Sequence, residues 1–171
     1  MKMISETSSS VKQAAIVIRR ATPADADSIL NCLSSAFAAY RDRYTAAAYA
    51  DTVLSGETIR DRMASMALFV AVTESGEIVG TIGCQVVTPV QGHLRGMAVL
   101  PQWQGDGIAA MLLTAAETEL SNSNCARITL DTTVPLERAM RFYEREGYRR
   151  SGKATDFFGM PLFEYVKTIK P

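Results

Sequence analysis

Apolar residues recur along this chain with two periods, and each change of period marks a new element. Residues 16–20 read as a short strand. Thr22 and Pro23 then open a helix, threonine as N-cap and proline in the first turn, with Ala26, Ile29, Leu30, Leu33 and Phe37 on one face. That face is expected to pack on a sheet. Residues 40–55 are aromatic and polar without a clear period, and a second helix is expected over 57–66. Strands over 68–73 and 77–87 flank a Glu74-Ser75-Gly76 turn, which predicts an antiparallel hairpin. A strand over 93–100 leads to a helix over 107–121 that buries Ile108, Met111, Leu112 and Ala115. After a strand over 127–132, Leu136, Ala139, Met140 and Tyr143 share a stripe in a helix over 136–146 that Gly147 stops. Strands over 148–153 and 163–169 close the chain. This order predicts a mixed α/β domain.

The chain has 171 residues, which suits one domain with a single core. Serine-rich residues 1–15 lack the apolar content to offset ordering, so they are expected as a mobile tail before a single domain over 16–171. Lys+Arg and Asp+Glu both number 18, leaving no net field to draw the protein to nucleic acid or an anionic membrane. No apolar run has the length of a membrane span, and the first residues lack the apolar region of a secretory signal, so a soluble cytoplasmic protein is expected. Cys32, Cys84 and Cys125 are odd in number and widely spaced, as reduced core thiols would be. With one histidine and no Cys-x-x-Cys pair, no metal site is expected.

Chemistry concentrates in residues 93–113, where a strand breaks at Pro101, passes a glycine-bearing loop and becomes an amphipathic helix. Gly105 and Gly107 can take left-handed backbone angles and let several N–H groups converge just ahead of a helix N-terminus, a geometry that favours phosphate. No Lys-Ser/Thr pair follows, as a nucleoside-triphosphate loop requires. Gly105, Gly107 and Ala110 satisfy only a loose dinucleotide spacing, and residues 101–104 separate them from the strand.

What remains is Gln104-x-x-Gly107-x-Ala109, preceded by Met97-Ala98-Val99-Leu100-Pro101. This resembles the acyl-CoA signature of the GNAT N-acetyltransferase superfamily, Q/R-x-x-G-x-G/A after a V-x-P strand end. The resemblance covers about 16–170, with its strongest match over 94–113 and a second over 136–148. It implies a mixed, mostly antiparallel twisted sheet of about six to seven strands flanked by about four helices, splayed beside the fourth strand to admit acyl-CoA. By the same resemblance, main-chain groups of Met97, Ala98 and Val99 would hold the pantetheine arm, and Gln104, Gly105, Asp106, Gly107, Ile108 and Ala109 would hold the pyrophosphate. Acetyl-CoA is then the co-substrate.

Transfer to an amine needs a base for the amine and an acid for the departing thiolate. The family's N-x-x-A-x-x-x-Y helix corresponds here to Leu136-x-x-Ala139-x-x-x-Tyr143, which makes Tyr143 the candidate acid; the same spacing would equally serve packing. Leu136 stands where the family has asparagine. His93, in His93-Leu94-Arg95-Gly96-Met97-Ala98-Val99, occupies the position of a family glutamate, and a neutral imidazole is a competent base at pH 7. Strand alternation puts Arg95 on the same face, to orient an acidic substrate or lower the pKa of His93; the alternative is a solvated surface pair. Asp106 beside a pyrophosphate would repel it, so a helix-capping role is expected. Trp103 covers either the cofactor or the loop. Tyr40 and Tyr44, in the run Tyr40-Arg41-Asp42-Arg43-Tyr44, are candidates for the acceptor side, and Asp131 is a weaker polar candidate at a strand end.

The function that follows is acetyl-CoA-dependent N-acetylation of a primary amine on a small molecule or peptide. A non-catalytic acyl-CoA-binding regulatory module is the alternative, and an unrelated nucleotide-phosphate-binding domain a third. Pairing of the last strands between two copies would give a homodimer.

Overall fold

A computed structural model describes residues 15–170. The serine-rich stretch expected as a tail therefore lies, but for Ala15, outside the described residues.

Seven strands form one sheet in the order β1-β2-β3-β4-β5-β7-β6. They are β1 Val17–Arg20, β2 Ala67–Val72, β3 Ile78–Thr88, β4 Gln91–Val99, β5 Arg127–Thr133, β6 Arg149–Phe157 and β7 Met160–Thr168. All neighbours are antiparallel except β4 and β5, so the expected mixed, mostly antiparallel sheet is what forms. Five α-helices accompany it among the described residues, one more than expected: α1 Ala26–Phe37, α2 Ala46–Val53, α3 Gly56–Ser65, α4 Ile108–Asn122 and α5 Glu137–Arg145.

Local chemistry explains the boundaries. Thr22 and Asp25 form a capping box, but Pro23–Asp25 winds as a 3-10 turn before α1 begins. Asp25 also takes both guanidinium nitrogens of Arg19, at 2.7 and 3.0 Å, which holds its carboxyl down at about 2. Helix α2 falls in the segment without apolar period; Thr45 caps it at the Ala48 amide, and Ala48 is its one buried residue. In α4 the buried stripe is Ile108, Leu112, Leu113, Ala116 and Leu120, while Met111 and Ala115, expected inside, are half-buried.

The core joins α1 and α4 to the sheet through Ile29, Leu33, Val70, Ile82, Leu94, Leu112 and Ile128. All three cysteines are buried and free, as expected.

One irregularity positions everything that follows. Thr81 pairs with Ala98 but Gly83 with Arg95, so Gly96 and Met97 together oppose Ile82: β4 carries a bulge, with Gly96 at φ 69°. On its other edge β4 pairs with β5 only over Gln91–Leu94 with Arg127–Leu130. Where the bulge begins, the two strands have already parted.

Candidate functional site

The parting of β4 and β5 opens into a cavity of about 690 Å³ that extends from the glycine loop to the segments around α2, α3 and the β6–β7 hairpin. Of the residues expected at the site, Tyr40, Tyr44, His93, Arg95, Met97, Ala98, Val99, Gln104, Gly105, Gly107, Ile108, Ala109 and Tyr143 line it. Asp106 is outside that lining.

At the loop end, Gly105 and Gly107 have φ of 86° and 81°, the left-handed angles anticipated for them. Gly107 is itself the N-cap of α4, and Asp106 stands one residue ahead of it. The N-terminus of α4, the end of a helix that favours an anion, opens at this loop. Gln104 folds back, its Nε2 donating to the Val99 carbonyl at 3.0 Å while Arg138 donates to its Oε1 at 3.1 Å. That double contact fastens the loop to the end of β4 and the start of α5. Trp103 packs half-buried against the core.

Midway along the cleft stand the two candidate proton carriers. Tyr143, on α5, is only 9% exposed, its ring edge-on to Phe142 at 5.3 Å and to Tyr148 at 5.9 Å between centroids. Burial drives its hydroxyl pKa well above the ordinary tyrosine value, so it keeps its proton throughout the neutral range.

His93, on β4, is placed by strand register opposite Thr129, whose Oγ1 lies 2.8 Å from Nδ1. The Thr129 hydroxyl also reaches the Gly92 carbonyl at 3.4 Å; when it donates there it accepts from Nδ1–H, the tautomer that leaves the lone pair on Nε2. Nε2 stands 3.6 Å from Asp131 Oδ2. Burial lowers the His93 pKa and Arg95 lowers it further, while the Asp131 carboxylate opposes both. Asp131 is itself raised by burial, with His93 pulling the other way.

Asp131 and Thr129 are the members sequence reasoning underrated. Asp131 was visible as a polar strand end, but its partnership with His93 depends on the β4–β5 register, which no local pattern encodes. His93 and Asp131 also border a second cavity of about 290 Å³, lined by Gln85, Gln91, Thr129, Lys153 and Glu164. This gives the imidazole a polar surround outside the main cleft.

At the far end Tyr44 is packed near Phe37 and Tyr49, and burial pushes its hydroxyl up to about 12. The β6–β7 hairpin tip closes this end through Phe157 and Leu162, and Thr45 Oγ1 donates to the Phe158 carbonyl at 2.8 Å. Arg95 Nη2 donates to Asp51 Oδ2 at 2.5 Å. Arg62 of α3 also lines the cavity here. It was missed, although a charge set among Ile59, Met63 and Met66, at helical spacing, was a readable anomaly.

A model of the acetyltransferase (GNAT) family matches residues 28–148. N-alpha-acetyltransferase 30 of Schizosaccharomyces pombe is 32% identical over 81 residues, which are 46% of this chain and 54% of that protein. Aminoalkylphosphonate N-acetyltransferase of Salmonella typhimurium is 33% identical over 82 residues, 45% of this chain and 53% of that protein. The chain thus spans about half the length of the curated relatives it matches. Among solved structures, the PaiA N-acetyltransferase of Thermoplasma acidophilum in complex with coenzyme A superposes with a TM-score of 0.76 at 16% identity, over 91% of this chain and 99% of that one. At that identity the likeness is one of fold.

Proposed function

The chain belongs to the acetyltransferase (GNAT) family, and on that premise we propose that it is an acetyl-CoA-dependent N-acetyltransferase acting on a primary amine of a small molecule or peptide. One observation supports the reading: the glycine loop at Gly105 and Gly107, the buried Tyr143 and His93 line one cleft between β4 and β5.

The residues fit acetyl-CoA. Gly105, Gly107 and the start of α4 offer converging amides to a pyrophosphate. Beyond Leu94 the β5-facing edge of β4 is free of strand pairing, so Met97, Ala98 and Val99 can meet an extended arm with main-chain groups. Thr132, whose buried Oγ1 has no hydrogen-bond partner among the described residues, is also one of the residues that line the cleft.

Bound acetyl-CoA supplies the acetyl group and a thiol as leaving group. His93 takes the proton of the acceptor amine on Nε2, Thr129 fixes the tautomer, and Asp131 stabilises the imidazolium so formed. As the amine nitrogen bonds to the carbonyl carbon and the carbon–sulfur bond breaks, Tyr143 delivers its proton to sulfur and is reprotonated from solvent. Tyr40, Tyr44 and Arg95 border the acceptor. The relatives include an N-alpha-acetyltransferase, an aminoglycoside N(6')-acetyltransferase and an aminoalkylphosphonate N-acetyltransferase, which supports an amine acceptor.

Buried free thiols suit the reducing cytoplasm, where acetyl-CoA is available. Strand β6, exposed along nearly its whole length at the sheet edge, is where a second copy would pair.

Release of free thiol from acetyl-CoA over a panel of primary amines tests the proposal. Binding of CoA by calorimetry with no thiol released for any amine would instead favour the non-catalytic module.

A further inference from the structure

An arginine with no direct ion pair of its own among the described residues lines the acceptor end of the cleft. Arg62 is 9% exposed, lines the cavity, and makes no side-chain hydrogen bond or ion pair among the described residues. The one carboxylate near it, Asp51, is engaged by Arg95. Two guanidinium groups thus share a single carboxylate, leaving a net positive charge towards the cleft. Burial and the Arg95 charge bring Arg62 down to about 10, against the pull of Asp51, so it is still a cation at neutral pH.

Partial burial disfavours the charged form of Arg62, and an apolar side chain would serve the packing of α3 as well. The backbone is also shaped around this charge. A Cβ on Gly96 would stand 2.8 Å from Arg62 Nη1, so the glycine bulge of β4 admits the guanidinium against the strand.

We infer that Arg62 and Arg95 form an anion subsite, and that the acceptor is a small primary amine carrying its own carboxylate, phosphonate or phosphate; this rests on the transferase reading above. The coenzyme's phosphates are not its occupant, because their loop lies beyond Met97, Ala98 and Val99, at the other end of the cleft. Arg95 stands two residues from His93 along β4, roughly 7 Å, which suits about two or three carbons between amine and anion. A bidentate guanidinium contact would fix that anion and so orient the amine towards His93.

The test compares kcat/KM within matched pairs: 2-aminoethylphosphonate against ethanolamine, and β-alanine against propylamine. The wild type should favour the anionic member by roughly 10- to 100-fold, since charge-assisted hydrogen bonds are worth about twice neutral ones. Arg62→Met should bring the ratio close to one, and Arg62→Lys should recover part of it. Asp51→Asn, which removes only the neutralising carboxylate, should raise affinity for the anionic member selectively; a merely structural role predicts no such gain. The Arg62→Met protein should melt at or above the wild-type temperature, because an unpaired buried charge has gone. No anionic preference in the wild type overturns the inference, as does an Arg62→Met variant that loses both members of a pair alike or loses CoA binding along with its fold. Those results leave the transferase reading standing. If no amine is acetylated at all, that reading fails, and titration of the CoA-loaded protein with 2-aminoethylphosphonate still decides: heat that vanishes in Arg62→Met sustains the subsite, and no heat in the wild type overturns it.

Discussion

His93 Nε2 stands 3.6 Å from Asp131 Oδ2, and each residue opposes the shift that burial imposes on the other. The imidazole is lowered by burial and by Arg95, with Asp131 restraining the fall. An acidic limb in kcat, measured with both substrates saturating and chemistry rate-limiting, should therefore lie below the ordinary histidine value near 6.5. Asp131→Asn removes the restraint, so the limb should move to lower pH. His93→Gln should flatten it. Stability gives an independent reading of the same shift. The unfolded chain binds more protons than the folded one between the lowered pKa and about 6.5, so this group's contribution is lost as pH falls through that window. His93→Gln should lose less stability than the wild type between about pH 7 and pH 5 in denaturant titrations. An unaltered rate profile in that variant would transfer the base role to an ordered water or to the amine's own free-base fraction.

Tyr143 is argued to act through its hydroxyl, and phenylalanine keeps the ring contacts with Phe142 and Tyr148 while removing that one atom. Tyr143→Phe should lower kcat by roughly 10² to 10⁴ with little change in CoA affinity, as for loss of a general acid. Because burial raises its pKa, no alkaline loss of rate should trace to this tyrosine in the ordinary tyrosine range near 10. Wild-type turnover in the variant would assign the side chain to the apolar stripe of α5.

The glycine loop separates backbone strain from crowding unusually well. A Cβ on Gly105 would meet nothing within 4 Å, so any cost of substitution comes from its φ of 86°. A β-branched residue at such an angle costs about 1–3 kcal/mol or forces the loop to rearrange, and in either case the converging amides are lost. Gly105→Val and Gly107→Val should each abolish CoA binding in calorimetry while far-UV circular dichroism stays native. Retained affinity in both would remove the phosphate role from the loop.

How much of this was legible depended on whether a feature was local. The β2–β3 hairpin, the break after β4 and the start of α4 each announced themselves through period and turn residues, and the structure places them within a residue or two of expectation. Helix α2 did not, because a short Ala46-Ala47-Ala48 run that buries only Ala48 carries no stripe; the Thr45 cap ahead of it was the available signal. Arg62 was legible as an anomaly rather than as a site. The His93–Asp131 pair was not legible at all, since it exists only through parallel pairing of strands separated by α4 in sequence. At the loop itself, the left-handed angle of Gly107 lets glycine take the N-cap position, one residue beyond Asp106.

Two buried hydroxyls without a partner among the described residues, Thr81 and Thr132, offer a contrast in which structure and function predict opposite results. Thr81 is 1% exposed on β3 and lies outside the cleft lining, so its unsatisfied oxygen is a cost to the fold with no return. Replacing it with isosteric valine should stabilise the protein by about 1 kcal/mol, a rise of about 2–4 °C in Tm for a chain of this size. Thr132 is as deeply buried, at 2% exposed, but it borders the cleft beside Asp131. Thr132→Val should gain similar stability in the ligand-free protein yet weaken acetyl-CoA binding by about 1 kcal/mol or more, so saturating acetyl-CoA should raise its Tm less than it raises that of the wild type. Equal ligand-induced shifts in the two variants would show that Thr132 is an internal defect like Thr81 and meets nothing in the cleft.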